Sequence, residues 1–199
     1  GSTMKHCTKL KELNIHKIDL HNCVLDLSNM KELKYVDMSK VTLSSSCCDV
    51  LGSTMKHCTK LKELNIHKID LHNCVLDLSN MKELKYVDMS KVTLSSSCCD
   101  VLGSTMKHCT KLKKLNIHKI DLHNCVLDLS NMKELTDLDM SEVTLSSSCC
   151  DVLGRTLAHC TKLEKVRIKK TALDNNRWMV ELFSDEKRNL HSDMASITL

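Results

Sequence analysis

His16, Asp37 and Ser39 are the residue types of a hydrolytic triad, and they recur as His67, Asp88 and Ser90 and as His118, Asp139 and Ser141. A working triad needs more than the three side chains. It needs a strained turn that exposes the nucleophile and backbone donors aimed at the developing oxyanion. No Gly-rich turn accompanies any of the three sets, so the recurrence reads as a by-product of periodicity, and a non-enzymatic protein is expected. Zinc is the second chemistry these letters invite, because His21, Cys23 and the Cys47–Cys48 pair offer imidazole and thiolate ligands. Yet the chain has no C-x-x-C pair, and Cys47 and Cys58 fall on an apolar helical stripe. No metal and no other cofactor is expected. Whether Cys23 pairs with Cys47 or Cys48 on oxidation is left open by spacing alone.

Composition narrows the remaining classes. The chain holds 29 basic and 25 acidic residues, a net charge of +4, which is too mild and too interspersed for a nucleic-acid surface. With 2% aromatic residues there is no platform on which bases would stack. No stretch approaches the ~20 apolar residues of a membrane span, and no charged-then-apolar secretion signal opens the chain. Neither nucleic acid nor membrane is expected as a partner. Lys5, His6, Lys9 and Lys11 with their copies form a basic strip that reads as a solvated face. Thirteen cysteines recur with the repeat. Copies of one cysteine would stand two strands apart, roughly 10 Å, beyond the ~7 Å that a disulfide allows. They are expected as buried thiols in a reducing, cytoplasmic setting.

The elements that position these residues follow from repetition. Residues 1–51 return letter for letter as 52–102, and return as 103–153 with five changes: Lys114, Thr136, Asp137, Leu138 and Glu142. A fourth copy begins at Gly154 and drifts after Leu173. A fixed period means units that bury their apolar faces against one another in a solenoid. Each period divides in two. Leu10, Leu13, Ile15, Ile18 and Leu20, then Leu33, Val36, Met38, Val41 and Leu43, both fit L-x-x-L-x-L-x-x-x-x-L, in units of 23 and 28 residues. The long unit adds Cys47, Leu51, Met55 and Cys58 along one helical stripe, preceded by Ser44–Ser46 as N-cap candidates. Gly52 inside that helix costs about 1 kcal/mol relative to Ala and reads as room for a neighbouring helix. The short unit has no space for a helix. Its Val24, Leu27 and Met30, spaced by three, suit a 3₁₀-like turn or an irregular ridge.

These motifs resemble leucine-rich repeats, with the long units similar to the ribonuclease-inhibitor type found in sensor domains of nucleotide-binding innate immune receptors. The resemblance implies an α/β solenoid with a curved parallel sheet on its concave face and alternating helices and short turns on its convex face. Seven strands are expected, at 12–16, 35–39, 63–67, 86–90, 114–118, 137–141 and 165–169. The aliphatic residue at the eighth offset stands where the family usually has Asn, which removes the side chain of the buried Asn ladder. The solenoid is assigned to 1–173 and a C-terminal cap and tail to 174–199, with Trp178, Met179, Leu182 and Phe183 covering the last core layer. The chain starts inside a long unit, at a helix over 2–7, leaving Leu13 and Ile15 toward a missing neighbour. A fragment is the expectation there, with a homodimer through this edge as the alternative.

Alternation along the strands sends the intervening letters to the concave face, where they form columns. The first is Glu12, Tyr35, Glu63, Tyr86, Lys114, Asp137 and Lys165; the second is Asn14, Asp37, Asn65, Asp88, Asn116, Asp139 and Arg167; the third is His16, Ser39, His67, Ser90, His118, Ser141 and Lys169. The resemblance implies that this face binds a protein or peptide partner. The candidate contact residues are Glu12, Asn14, His16, Tyr35, Asp37, Ser39, Glu63, Asn65, His67, Tyr86, Asp88, Ser90, Lys114, Asn116, His118, Asp137 and Asp139. Tyr35 and Tyr86 are the natural anchors, since Tyr joins large contact area to a polar tip. The alternative is a structural or engineered repeat scaffold with no specific ligand.

Overall fold

A strand whose apolar letters line one face has nothing of its own to bury them against, so consecutive units must stack. The computed structural model describes residues 6–72, 74–123 and 125–168. Seven strands, Glu12–Asn14, Tyr35–Asp37, Glu63–Asn65, Tyr86–Asp88, Lys114–Asn116, Asp137–Asp139 and Lys165–Arg167, form one parallel sheet in chain order. Each is three residues long, shorter than the letter pattern suggests. The cause is a left-handed residue soon after each of the first six strands: Lys17, Lys40, Lys68, Lys91, Lys119 and Glu142, with φ between 55° and 59°. That conformation costs a non-Gly residue about 1–2 kcal/mol.

The turn it creates keeps the backbone ladder running. Lys17 donates its N–H to the Ser39 carbonyl, Lys40 to His67 and Lys68 to Ser90, each at 2.8 Å. Two-residue bridges then continue the pairing, Asp19–Leu20 with Thr42–Leu43, Asp70–Leu71 with Thr93–Leu94 and Asp121–Leu122 with Thr144–Leu145. The letter pattern had not marked these bridges. They also account for the absent Asn ladder. Ile69, Val92, Ile120 and Val143, at the eighth offset, are buried, and the backbone around them pairs with itself: Thr93 N–H reaches the Ile69 carbonyl at 3.2 Å, and Val92 N–H reaches Met89 at 3.2 Å.

Behind the sheet lie helices α1 (Ser45–Met55), α2 (Ser96–Met106) and α3 (Ser147–Leu157). Ser44, Ser95 and Ser146 cap them, each hydroxyl accepting from the N–H three residues on at 3.3–3.4 Å. Such a cap contributes about 1 kcal/mol relative to Ala. Cys47, Leu51, Met55 and Cys58 are fully buried, as the helical stripe requires. The short units alternate with the helices as irregular ridges, but the inward letters differ from the spacing-by-three reading. Leu25, Leu27 and Met30 are buried, while Val24 is 44% exposed. Inward residues two apart mean that the ridge is locally extended rather than 3₁₀-wound.

Gly52 also differs from expectation. A Cβ there would overlap the carbonyl oxygen of Val75 and stand 3.3 Å from its carbon, so the close neighbour is the next ridge and not a helix. Gly103 meets Val126 in the same way. Thr54 ties helix to ridge from the other side, its hydroxyl accepting from Leu27 N–H at 3.1 Å. The proposed cap residues Trp178, Met179, Leu182 and Phe183, and most of the helix expected over 2–7, lie outside the described residues.

Gly52→Ala is therefore expected to lower stability by about 1–3 kcal/mol through overpacking, although Ala is the better helix former. Urea unfolding measures it, and a midpoint equal to or above the unsubstituted protein's would show that the ridge yields without cost.

Candidate protein-recognition face

The strand register sets the columns. Glu12 faces Tyr35, which faces Glu63, then Tyr86, Lys114, Asp137 and Lys165. One pleat along, Asn14, Asp37, Asn65, Asp88, Asn116, Asp139 and Arg167 align in the same way. Leu13, Val36, Leu64, Val87, Leu115, Leu138 and Val166 between them point into the core and are buried. All the letters read as candidate contacts in the first two columns thus share the open face of the sheet, half-buried or exposed.

The second column has a structural duty that the sequence reading missed. Each acid or amide oxygen accepts the N–H two residues on: Asp37 from Ser39 at 2.8 Å, Asn65 from His67 at 3.1 Å, Asp88 from Ser90 at 2.9 Å, Asn116 from His118 at 3.1 Å and Asp139 from Ser141 at 3.0 Å. These side-chain turns lead into the left-handed residue that ends each strand. The recurring Asn/Asp two residues before His/Ser was their signal. Tyr35 and Tyr86 lean toward the same column, each hydroxyl donating to the carboxylate of Asp37 (3.5 Å) or Asp88 (3.3 Å).

The third column divides. His16 is exposed, its Nδ1 2.6 Å from Asn14 Oδ1. His67 instead turns to Ser90, with Nδ1 2.7 Å from the hydroxyl, which itself donates to Asp88 Oδ1 at 2.6 Å. The hydroxyl therefore sits between ring and carboxylate, whereas hydrolysis needs the ring in the middle. Ser90 is also buried.

Electrostatics differ along the face. Glu12 and Glu63 make no ion pair among the described residues. Burial, and then the charges of Asp37 and Glu63, raise the Tyr35 phenol above its ordinary value; burial and Asp88 push Tyr86 to about 12. Toward the C-terminal end, Arg167 engages Asp137 at 2.9 Å and Asp139 at 3.7 Å, a clamp that sequence reasoning left out of the site. Its signal was a cation in a column otherwise built of Asn and Asp. Copy three's changes act in this region: Lys114 lies beside Asp137 in the register, Glu142 pairs with Lys119 at 3.6 Å, and the Thr136 hydroxyl donates to the Lys113 carbonyl at 3.1 Å.

The cysteines form a second, buried column. Cys74 and Cys125 donate from Sγ to the carbonyls of Cys48 (3.4 Å) and Cys99 (3.3 Å) of the preceding unit, and Cys98 lies within bonding distance of the Leu71 (3.0 Å) and Cys74 (3.2 Å) carbonyls. Eleven are buried, and Cys7 and Cys23 are exposed. Burial pushes Cys58 and Cys160 up to about 11 and Cys109 to about 12, and raises Cys74 as well. Among the described residues no three His, Cys, Asp or Glu side chains converge to hold a metal.

In every unit from the second to the seventh, the first three apolar letters of L-x-x-L-x-L are buried behind one strand of a single parallel sheet. The chain folds as a leucine-rich repeat solenoid. No protein-family model matches the chain. It is similar to two mouse proteins, NACHT, LRR and PYD domains-containing protein 4C (24% identical over 207 aligned residues, 92% of this chain) and 4E (25% over 197, 90% of this chain). The chain spans about a fifth of their length, 20% of each. Among solved structures it is similar to two internalins of Listeria monocytogenes. For InlF the TM-score is 0.46 at 20% identity, covering 92% of this chain and 68% of that one; for internalin C2 it is 0.45 at 15%, covering 83% and 74%. No helix among the described residues is long and apolar enough to cross a membrane.

Two outcomes follow. A thiol reagent at neutral pH should modify Cys7 and Cys23 quickly and the buried cysteines only as the fold opens; rapid labelling of Cys74 or Cys98, seen by peptide mass mapping, would contradict the packing described. Because the chain has two tyrosines, alkaline titration of phenolate absorbance reads this face alone. In a Tyr35→Phe variant the midpoint should stand at about 12, and ionisation at the ordinary 10.0 would mean that Tyr86 feels neither burial nor Asp88.

Proposed function

We propose that this protein is a non-enzymatic recognition module that binds a protein or peptide through the open face of its sheet. The observation that carries the reading is where the copies differ. Of the five changes in copy three, Lys114, Thr136, Asp137 and Glu142 are outside the core and lie in or beside the strands, and none of the five falls in a helix. The columns support it chemically. They present aromatic area at Tyr35 and Tyr86 beside carboxylates, on a rigid sheet that loses little entropy on binding. A reducing, cytoplasmic setting accords with so many buried cysteines outside any disulfide among the described residues.

A second reading, a structural repeat scaffold with no specific ligand, draws on the letter-for-letter identity of residues 1–51 and 52–102.

Selection of a random peptide library on the immobilised protein separates the two. Recognition through the face predicts enriched peptides whose capture falls when Tyr35 and Tyr86 are replaced by Ala. Peptides indifferent to those substitutions, or no enrichment at all, would leave the scaffold reading in place.

A further inference from the structure

We infer that the first four strands of the open face select an extended, basic peptide segment whose cationic side chains stand three residues apart. This inference rests on the recognition reading and names its partner's chemistry. Across these strands the first two columns hold Glu12, Asp37, Glu63 and Asp88 with Tyr35 and Tyr86, and no Lys or Arg. Each tyrosine is flanked in the register by glutamate, Tyr35 on both sides and Tyr86 on one. A guanidinium laid on a phenol ring gains from the ring's negative face and reaches a carboxylate at its edge. Tyr35 and Tyr86 are two strands apart, roughly 10 Å, and an extended chain covers that distance in about three residues at ~3.4 Å each. The partner would then run across the strands rather than along them.

Three features bound the site. Glu12 and Glu63 hold no ion pair among the described residues, so binding a cation breaks no existing bridge. From the fifth strand the pattern ends, because copy three replaces the glutamate with Lys114 and the tyrosine with Asp137, and Arg167 already engages Asp137 and Asp139. Lysines border the acidic columns on both sides, Lys11, Lys34, Lys62 and Lys85 one residue before the first column and Lys40, Lys68 and Lys91 near His67 of the third, so the negative charge is confined to the first two columns.

The test is fluorescence anisotropy with a labelled synthetic peptide of four Arg-Ser-Ser repeats, beside one of four Glu-Ser-Ser repeats and one with the four arginines contiguous. The spaced basic peptide should bind, weaken with added salt, and exceed the contiguous one. Glu63→Lys should weaken it about tenfold and Tyr86→Ala about three- to tenfold, while Tyr86→Phe, which keeps the ring, should stay within about twofold. Circular dichroism of each variant confirms that the solenoid is intact. Equal binding of the acidic peptide, indifference to Glu63→Lys, or preference for contiguous arginines overturns the inference. The library separates this failure from that of the broader reading. Enriched peptides that need Tyr35 and Tyr86 but are not basic refute the basic partner and leave recognition standing; peptides that ignore the face refute both.

Discussion

The whole structure depends on one constraint, the in-register parallel stacking of units that cannot bury their own apolar letters. Identical letters show what stacking supplies: Ile69, packed behind a preceding unit, is 1% exposed, while Ile18 of the first unit is 44% exposed. Fully burying such a side chain contributes about 1.5–3 kcal/mol, and several positions per unit gain it together. The backbone makes the same demand. Every strand after the first takes N–H or carbonyl partners from its neighbour, and the left-handed lysines carry that ladder beyond the strand proper.

On the far side of the solenoid the sheet ladder no longer reaches, and short bonds between helix and ridge take over. Ser caps hold the helix starts, Thr54 and Thr105 accept from ridge N–H groups, and thiols donate to carbonyls of adjoining units. This gives the buried cysteines a packing role between units. They are small donors that fit where the ridges come closest, and burial raises the pKa values of Cys48, Cys58, Cys74, Cys109 and Cys160. Gly52 and Gly103 belong to the same tight seam, since each stands where a ridge carbonyl leaves no space for a Cβ.

Because register is fixed by the core, residues on the open face inherit their neighbours. Glu12, Tyr35, Glu63 and Tyr86 stand in a line whether or not they touch one another. Changing one letter per copy therefore rewrites a column, and copy three does so with charges that are compensated inside the protein, Lys114 beside Asp137, Asp137 with Arg167 and Glu142 with Lys119. The face is thus divided into an acidic, aromatic half and a half whose charges answer each other.

The sequence by itself determined the solenoid, the seven strands, the helical stripe of Cys47, Leu51, Met55 and Cys58, and the membership of the first two face columns. These follow from periods of two and of 3.6 residues, which are local properties of the chain. It did not determine what depends on neighbours distant in sequence. Spacing by three placed Val24 inward, but the ridge path turns Leu25 in instead. Gly52 looked like room for a helix, and a ridge carbonyl 23 residues later fills that room. The second column looked available to a partner, yet its oxygens also hold the strand-ending turns. His67, Ser90 and Asp88 carry triad letters, and only tertiary packing put the hydroxyl in the middle. In each case the letters set which face a residue occupies, and the adjoining unit, brought close by stacking, set what that residue touches.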